Sequence, residues 1–298
     1  MKLSDALSKD ELREFSQPSD ARAAFELVVH FAILVGAFAI ATLWPNPLTI
    51  ALGILLLAGR QQASGVIMHD CAHRAFFKSK ALNEFVGHWL AGAAINAPLG
   101  LYREYHLKHH RDAGTEKDPD LWMVRKYPVA PDSLRRKMIR DLTGQTGVRD
   151  LIRELKMFKL SQNAPWIVFN VGLFTSLAIA GAAWAYLLWW AAKLFVYPLI
   201  FRLRQISEHG VAVNRASLDP RDNTSTTLVS WWERLFIAPA NVNYHLEHHM
   251  FAAVPPYNLS RLHRLLSERG YYDGHACIAR GYRDVLRRAV QRSGAALG

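Results

Sequence analysis

Histidine is the residue type with which this sequence can do the most chemistry. It has thirteen, and nine recur at spacings suited to metal binding. His69 and His73 stand four apart in HDCAH at 69–73. His106, His109 and His110 in HLKHH at 106–110, and His245, His248 and His249 in HLEHH at 245–249, repeat a second pattern. Positions i, i+3 and i+4 project from one face of a helix, so each triplet offers three nitrogens to one region of space. His209 is a ninth candidate. A single pair at this spacing is a frequent accident, whereas two triplets and a pair together point to metal.

Neutral imidazole suits iron, zinc, copper or nickel. A structural zinc takes four ligands and a catalytic zinc three plus water. Nine nitrogens exceed either and divide into two sites of four or five ligands with positions left open. Two redox-active metals with open positions can bind and reduce O₂, which zinc cannot. Soluble di-iron bundles rely on glutamates, but here carboxylates near the histidines are few. Asp70, Asp118, Asp120, Glu208 and Glu247 read as acceptors for the free ring N–H of a ligand, which would fix its tautomer, or equally as solvated charges. His30, His263 and His275 lack a spaced partner and read as packing or hydrogen-bonding residues, His88 is open, and Cys71 reads as a small residue between two ligands.

These histidines need elements to hold them. Of 298 residues 51% are hydrophobic, yet the formal charge is +11. Apolar spans separated by basic, water-facing segments explain both figures, and a basic soluble nucleic-acid binder does not. Four stretches meet the requirement of roughly 20 apolar residues for a ~30 Å hydrocarbon core. They are residues 24–44, 48–67, 166–184 and 186–204, the first two separated by Pro45-Asn46-Pro47 and the last two almost contiguous. A weaker stretch, 85–101, contains His88, Asn96 and Pro98 and reads as re-entrant or interfacial. Two hairpins put the N-terminus, the middle segment and the C-terminal segment on one side. Arg103, Lys108, Arg111, Lys117, Arg125, Lys126, Arg135, Arg136, Lys137 and Arg140 make that side cytoplasmic. His69 and His73 lie just beyond the second span and His209 just beyond the fourth, so all nine candidates can meet at one membrane face.

Smaller signals fill in the rest. Residues 1–23 do not read as a secretory signal. Two cysteines, Cys71 and Cys277, make no disulfide framework. Ser230-Trp231-Trp232-Glu233 has capping-box spacing and opens a helix that suits either the membrane interface or core packing. Residues 258–269 form a basic amphipathic helix closed by Gly270.

With these motifs the chain resembles the membrane fatty acid desaturase superfamily of lipid desaturases, hydroxylases and carotenoid ketolases, from about Leu48 to about Leu266. The resemblance implies an all-α integral membrane fold: one domain over 1–298, four transmembrane helices in two hairpins, and a cytosolic helical cap (68–160 and 205–298) carrying the histidine boxes. It implies two iron ions, O₂ as co-substrate, His209 as the ligand preceding the last box, and Gln205 as a polar residue near an iron-bound water. It also implies a lipid or fatty acyl substrate and a separate electron donor of ferredoxin or cytochrome b5 type. The basic cytoplasmic face could dock an acidic donor or attract anionic lipid. The expected reaction is acyl desaturation in a multi-pass protein of a bacterial inner or plasma membrane. A carotenoid or terpenoid hydroxylase or ketolase, and a zinc-dependent membrane lipid hydrolase, are the rival expectations.

Overall fold

Helix formation along this chain follows its apolar runs and is punctuated by caps. The computed structural model describes residues 2–291. Among the described residues three helices are long and apolar enough to cross a membrane: Asp20–Leu43, Pro47–Ala72 and Ala183–Gly210. At the first junction Asn46 accepts from the backbone N–H groups of Leu48 and Thr49, with Pro47 in the first turn. Proline loses nothing there, because that N–H has no intrahelical partner. The hairpin then closes tightly, since a methyl group on Gly53 would lie 3.1 Å from Ala37 O and Ala41 Cβ.

The second half of the bundle departs from the expected boundaries. The stretch expected at 166–184 is a helix from Leu160 to Ile179. It breaks at residues 180–182, where Gly181 has φ +72°, and Ala183–Gly210 follows. Leu160–Ile179 is 20 residues long, but Ser161, Gln162, Asn163 and Asn170 interrupt its apolar run. Two of these are occupied: Asn163 donates to Asn96 (2.8 Å) and Asn170 accepts from Tyr186 (2.9 Å). The segment read as re-entrant is a broken helix, Lys80–Phe85 running through a π-helical stretch, Val86–Gly92, to Ala93–Ile95. Asn96 ends it in the left-handed region at φ 60°. Gly87 lies so close to Cys71 that a β-carbon there would come within 2.7 Å of the cysteine's own. Cys71 is thus buried where only a small side chain fits.

The other described elements pack through contacts of their own. Helices Leu3–Ala6 and Lys9–Phe15 pack on Pro256–Glu268 through Ala6, Leu7, Phe15, Leu259, Leu262 and Leu266. The Glu11–Arg269 ion pair (2.6 Å) reinforces this contact. The purely helical expectation is corrected by one pair of short strands, Thr226–Leu228 and Ile278–Arg280, which are parallel with Thr226 opposite Ile278. β-Branched residues suit this extended, half-buried pairing. In the helix Trp231–Phe236, Glu233 accepts from the Ser230 N–H (2.8 Å) and completes the capping box. Trp231 and Trp232 point outward, which removes core packing as their role.

Candidate metal centre

Four elements carry the histidines. The last turn of Pro47–Ala72 presents His69, and His73 caps that helix. Arg103 holds its end by donating to the carbonyls of Ala72 (2.8 Å) and Cys71 (3.3 Å), and is itself paired with Glu84 (2.8 Å). Helix Leu99–Asp112 presents His106, His109 and His110. His209 sits in a π-helical turn, Ile206–Gly210; such turns are frequent at functional sites because the extra residue re-aims side chains. Helix His245–Met250 presents the last three.

The structure brings all nine together in two adjacent groups. His69, His73, His106, His110 and His248 form one, and His109, His209, His245 and His249 the other, with the ligand-capable atoms of each within 4.8 Å of one another. Each triplet therefore serves both groups: His109 and His110 point to different ones, as do His248 and His249. The groups touch, with the His110 and His249 rings stacked 4.3 Å apart.

Ring nitrogens approach each other in ways that ordinary hydrogen bonding does not explain well. Nε2 of His110 lies 3.0 Å from Nε2 of both His106 and His248. Nε2 of His245 is 3.1 Å from that of His209, and Nε2 of His109 is 3.3 Å from that of His249. One His110 nitrogen cannot serve two neighbours well by proton sharing. Two nitrogens each ~2.1 Å from one ion, at right angles, would lie ~3.0 Å apart. Nε2 of His69 and of His73 is buried with no hydrogen-bond partner. Such orphaned acceptors are costly unless something fills them, so the donor set fits metal ions.

The electrostatics support lone pairs rather than protons. Burial, and then the neighbouring histidines, hold His106, His245, His248 and His249 well below the usual imidazole range. The same causes bring His110 to about 2. His109 departs in the opposite direction. Burial lowers it, but the hydrogen bond it donates to Asp118 and the charges of Asp120, Asp118 and Glu208 outweigh that and raise it.

The carboxylates divide. Asp70 Oδ1 is 2.8 Å from His69 Nδ1, Asp118 Oδ1 is 2.7 Å from His109 Nδ1, and Glu208 Oε1 is 3.4 Å from His245 Nδ1. Asp120 stands back at 3.8 Å from His109, and its backbone N–H donates to Asp118 (2.8 Å) while Tyr105 O–H donates to its carboxylate. Glu247 is a correction. It touches no clustered histidine and instead accepts from His263 (2.6 Å), Tyr272 (2.5 Å) and Thr226 (2.5 Å). Lying one and two residues from His248 and His245, it projects from a different side of their helix. His263 consequently has a buried partner, though it lies outside both groups. Gln205 is half-buried, and its side chain makes no hydrogen bond among the described residues.

Of the other histidines, His30 is buried 3.4 Å from Ser64 Oγ, His275 pairs with Asp222 (3.3 Å), and His88 joins neither group. Three positioning groups were not anticipated. The Asn223 carbonyl takes His209 Nδ1 (3.1 Å), the Tyr102 ring stacks on His106 (5.2 Å), and Arg204 pairs with Glu208 (2.6 Å). Only the last had a visible signal, an Arg and a Glu four residues apart.

Replacing Asp118 with Asn should weaken metal binding about 10- to 100-fold, the usual cost of losing a carboxylate behind a ligand histidine. Competitive chelation with a fluorescent indicator reads this directly. An unchanged affinity would show that Asp118 does not orient His109.

A fatty acid desaturase family model matches residues 42–281. Among curated relatives, the Synechocystis sn-1 oleoyl-lipid 12-desaturase is 26% identical over 68% of this chain and 64% of its own length. The Nostoc sn-1 acyl-lipid omega-3 desaturase (ferredoxin) is 27% identical over 50% of this chain and 40% of its own. The human sphingolipid delta(4)-desaturase/C4-monooxygenase is 27% identical over 69% of this chain and 61% of its own. The chain thus spans less than two thirds of the length of each. The match covers the second span, both histidine groups and their carboxylate partners, and this chain belongs to the fatty acid desaturase family.

Proposed function

We propose that the protein is an O₂-dependent, di-iron membrane oxidase that introduces a C=C double bond into a fatty acyl chain. The observation that carries this is the pair of adjacent histidine groups, five and four strong, at the end of long apolar helices. His69, His73, His106, His110 and His248 would hold one iron, and His109, His209, His245 and His249 the other. Two irons held there would supply the reduction of O₂ and the removal of hydrogen from an unactivated C–H bond, chemistry beyond any side chain.

The protein's part is to aim and protect. Asp70, Asp118, Glu208 and the Asn223 carbonyl take the ring N–H opposite the metal-facing nitrogen, fixing tautomer and orientation. Asp120 supports Asp118 through its backbone, and Gln205, one turn before His209, would serve as a polar group beside the metal site. Burial of the rings keeps bulk water away. In this reading the whole chain is one domain, Leu160–Ile179 is a fourth crossing, and the histidine-bearing cap and both termini face the cytoplasm of a bacterial plasma membrane. The basic residues of the cap support that orientation. Two electrons per turnover come from a separate donor; the Nostoc relative's name includes ferredoxin.

Hydroxylation differs from desaturation only in the fate of the second hydrogen, and the human relative's name carries both outcomes. A zinc-dependent hydrolase would use about three ligands and a water, leaving most of the nine histidines idle. Expression in a bacterium that makes both acyl lipids and carotenoids, followed by lipid and pigment profiling against a His245→Ala control, tests the reading. New unsaturated acyl chains in the wild-type strain alone are expected. An unchanged acyl profile with altered pigment would replace it by the carotenoid alternative.

A further inference from the structure

Electrons must enter through the protein surface, and one patch of that surface is tied to the histidine groups through Asp118 and Asn223. The segments that follow the second histidine triplet and His209 lie against each other outside the four-histidine group. Gly114 (φ +82°) permits this, because a β-carbon there would sit 2.1 Å from the Ser217 carbonyl. Asn223 donates to the same carbonyl (2.8 Å), and its own carbonyl is the group that holds His209. Between the two segments runs a groove of about 320 Å³, lined by Thr115, Glu116, Leu121, Arg125, Val213 and Arg215 among others, so two cations outnumber one carboxylate along it.

Around it three large apolar side chains stand in the open: Trp122 is 66% exposed, Val213 64% and Leu218 78%. Lys117, Arg125 and Lys126 are exposed beside them and form no ion pair among the described residues. Apolar anchors with a basic rim are the anatomy of a protein-docking surface, and unpaired lysine and arginine favour an acidic partner. The patch is also linked directly to the site. Asp118 and Asp120 lie between Lys117 and Trp122, and Asp118 hydrogen-bonds His109 at 2.7 Å.

We propose that residues 115–126 and 211–218 form the docking surface for a small acidic electron-carrier protein, with Trp122 as its apolar anchor and Lys117, Arg125 and Lys126 as its charged rim. This rests on the oxidase reading given above. Each docking event would pass one electron, oxidising the carrier and reducing the metal centre, so two events serve one turnover.

The test uses the full chain in nanodiscs and an acidic [2Fe–2S] ferredoxin as the probe, with Kd measured across a salt series. Wild type should bind, more weakly as salt rises. K117E/R125E/K126E should raise Kd about 30-fold and flatten the salt dependence, and Trp122→Ala should raise it about 10-fold. R135E/R136E/R140E, reversing charge elsewhere on the basic face, should leave Kd within about twofold. Equal weakening by both triple variants, or no binding by wild type, would overturn the proposal. So would quenching of a bimane attached through Trp122→Cys by brominated lipid, which would place the patch in the bilayer; Cys71 and Cys277 are buried and will not compete for the label. Single-turnover product formation with dithionite separates the two readings. It should be equal in wild type and K117E/R125E/K126E, and its absence from both would remove the oxidase reading while the Kd values still decide the docking surface.

Discussion

Replacing His209 and His245 together with alanine should leave about one iron per chain instead of about two, and should reduce lipid oxidation to background. Replacing His73 and His110 should loosen the other iron's hold instead, because three of its five nitrogens remain. The reasoning is geometric. Each of these four side chains belongs to only one group, although the triplets from which two of them come serve both. Removing two of the four nitrogens in one group leaves too few to hold an ion, while five remain untouched next door. Metal binding draws on deprotonated, prepositioned ligands, so the intact group keeps its ion. In the proposed reaction turnover draws on both metals, so it should fall either way. Metal analysis of the purified variants gives the stoichiometry, and lipid profiling the activity. Retention of two irons in H209A/H245A would dismantle the assignment of His209 and His245, and graded loss of both metals would show that the groups are not separate sites.

The ingredients of this centre were visible in the sequence because helix periodicity is local. A spacing of i, i+3, i+4 fixes a shared face wherever the helix goes, and the apolar runs fix which side of the bundle the boxes occupy. The partition was not visible. Whether His109 joins His110 or His209 depends on how four elements converge, and sequence spacing is silent on crossing geometry. Glu247 shows the same limit. Its place between two ligand histidines suggested that it serves them, yet the helix turns it towards His263, Tyr272 and Thr226. A backbone carbonyl such as that of Asn223 carries no side-chain signal at all. Span ends slipped for a different reason: alanine, glycine and leucine extend an apolar pattern through a turn as readily as through a helix, so the break at Gly181 was hidden inside a continuous run. The two strands are three residues each, too short to show alternation.

Arg204→Met should destabilise the protein by about 3–5 kcal/mol, the usual cost of stranding one member of a buried ion pair. Arg204 and Glu208 meet at 2.6 Å with side chains 9% and 4% exposed, so the remaining carboxylate would have little water to turn to. The double variant R204M/E208L should recover most of that loss, because replacing both members of a buried pair by apolar groups of similar size is often neutral or better. Recovery of stability should not bring recovery of metal. Glu208 Oε1 also stands 3.4 Å from His245 Nδ1, and without it that ring has lost the acceptor that fixes its tautomer. Thermal unfolding in detergent and iron content on the same samples therefore pull apart: stability falls and returns across the series, whereas occupancy of the four-histidine group falls and stays low. Should iron return with stability in R204M/E208L, Glu208 serves only to neutralise Arg204 within the helix, and His245 is aimed by packing alone.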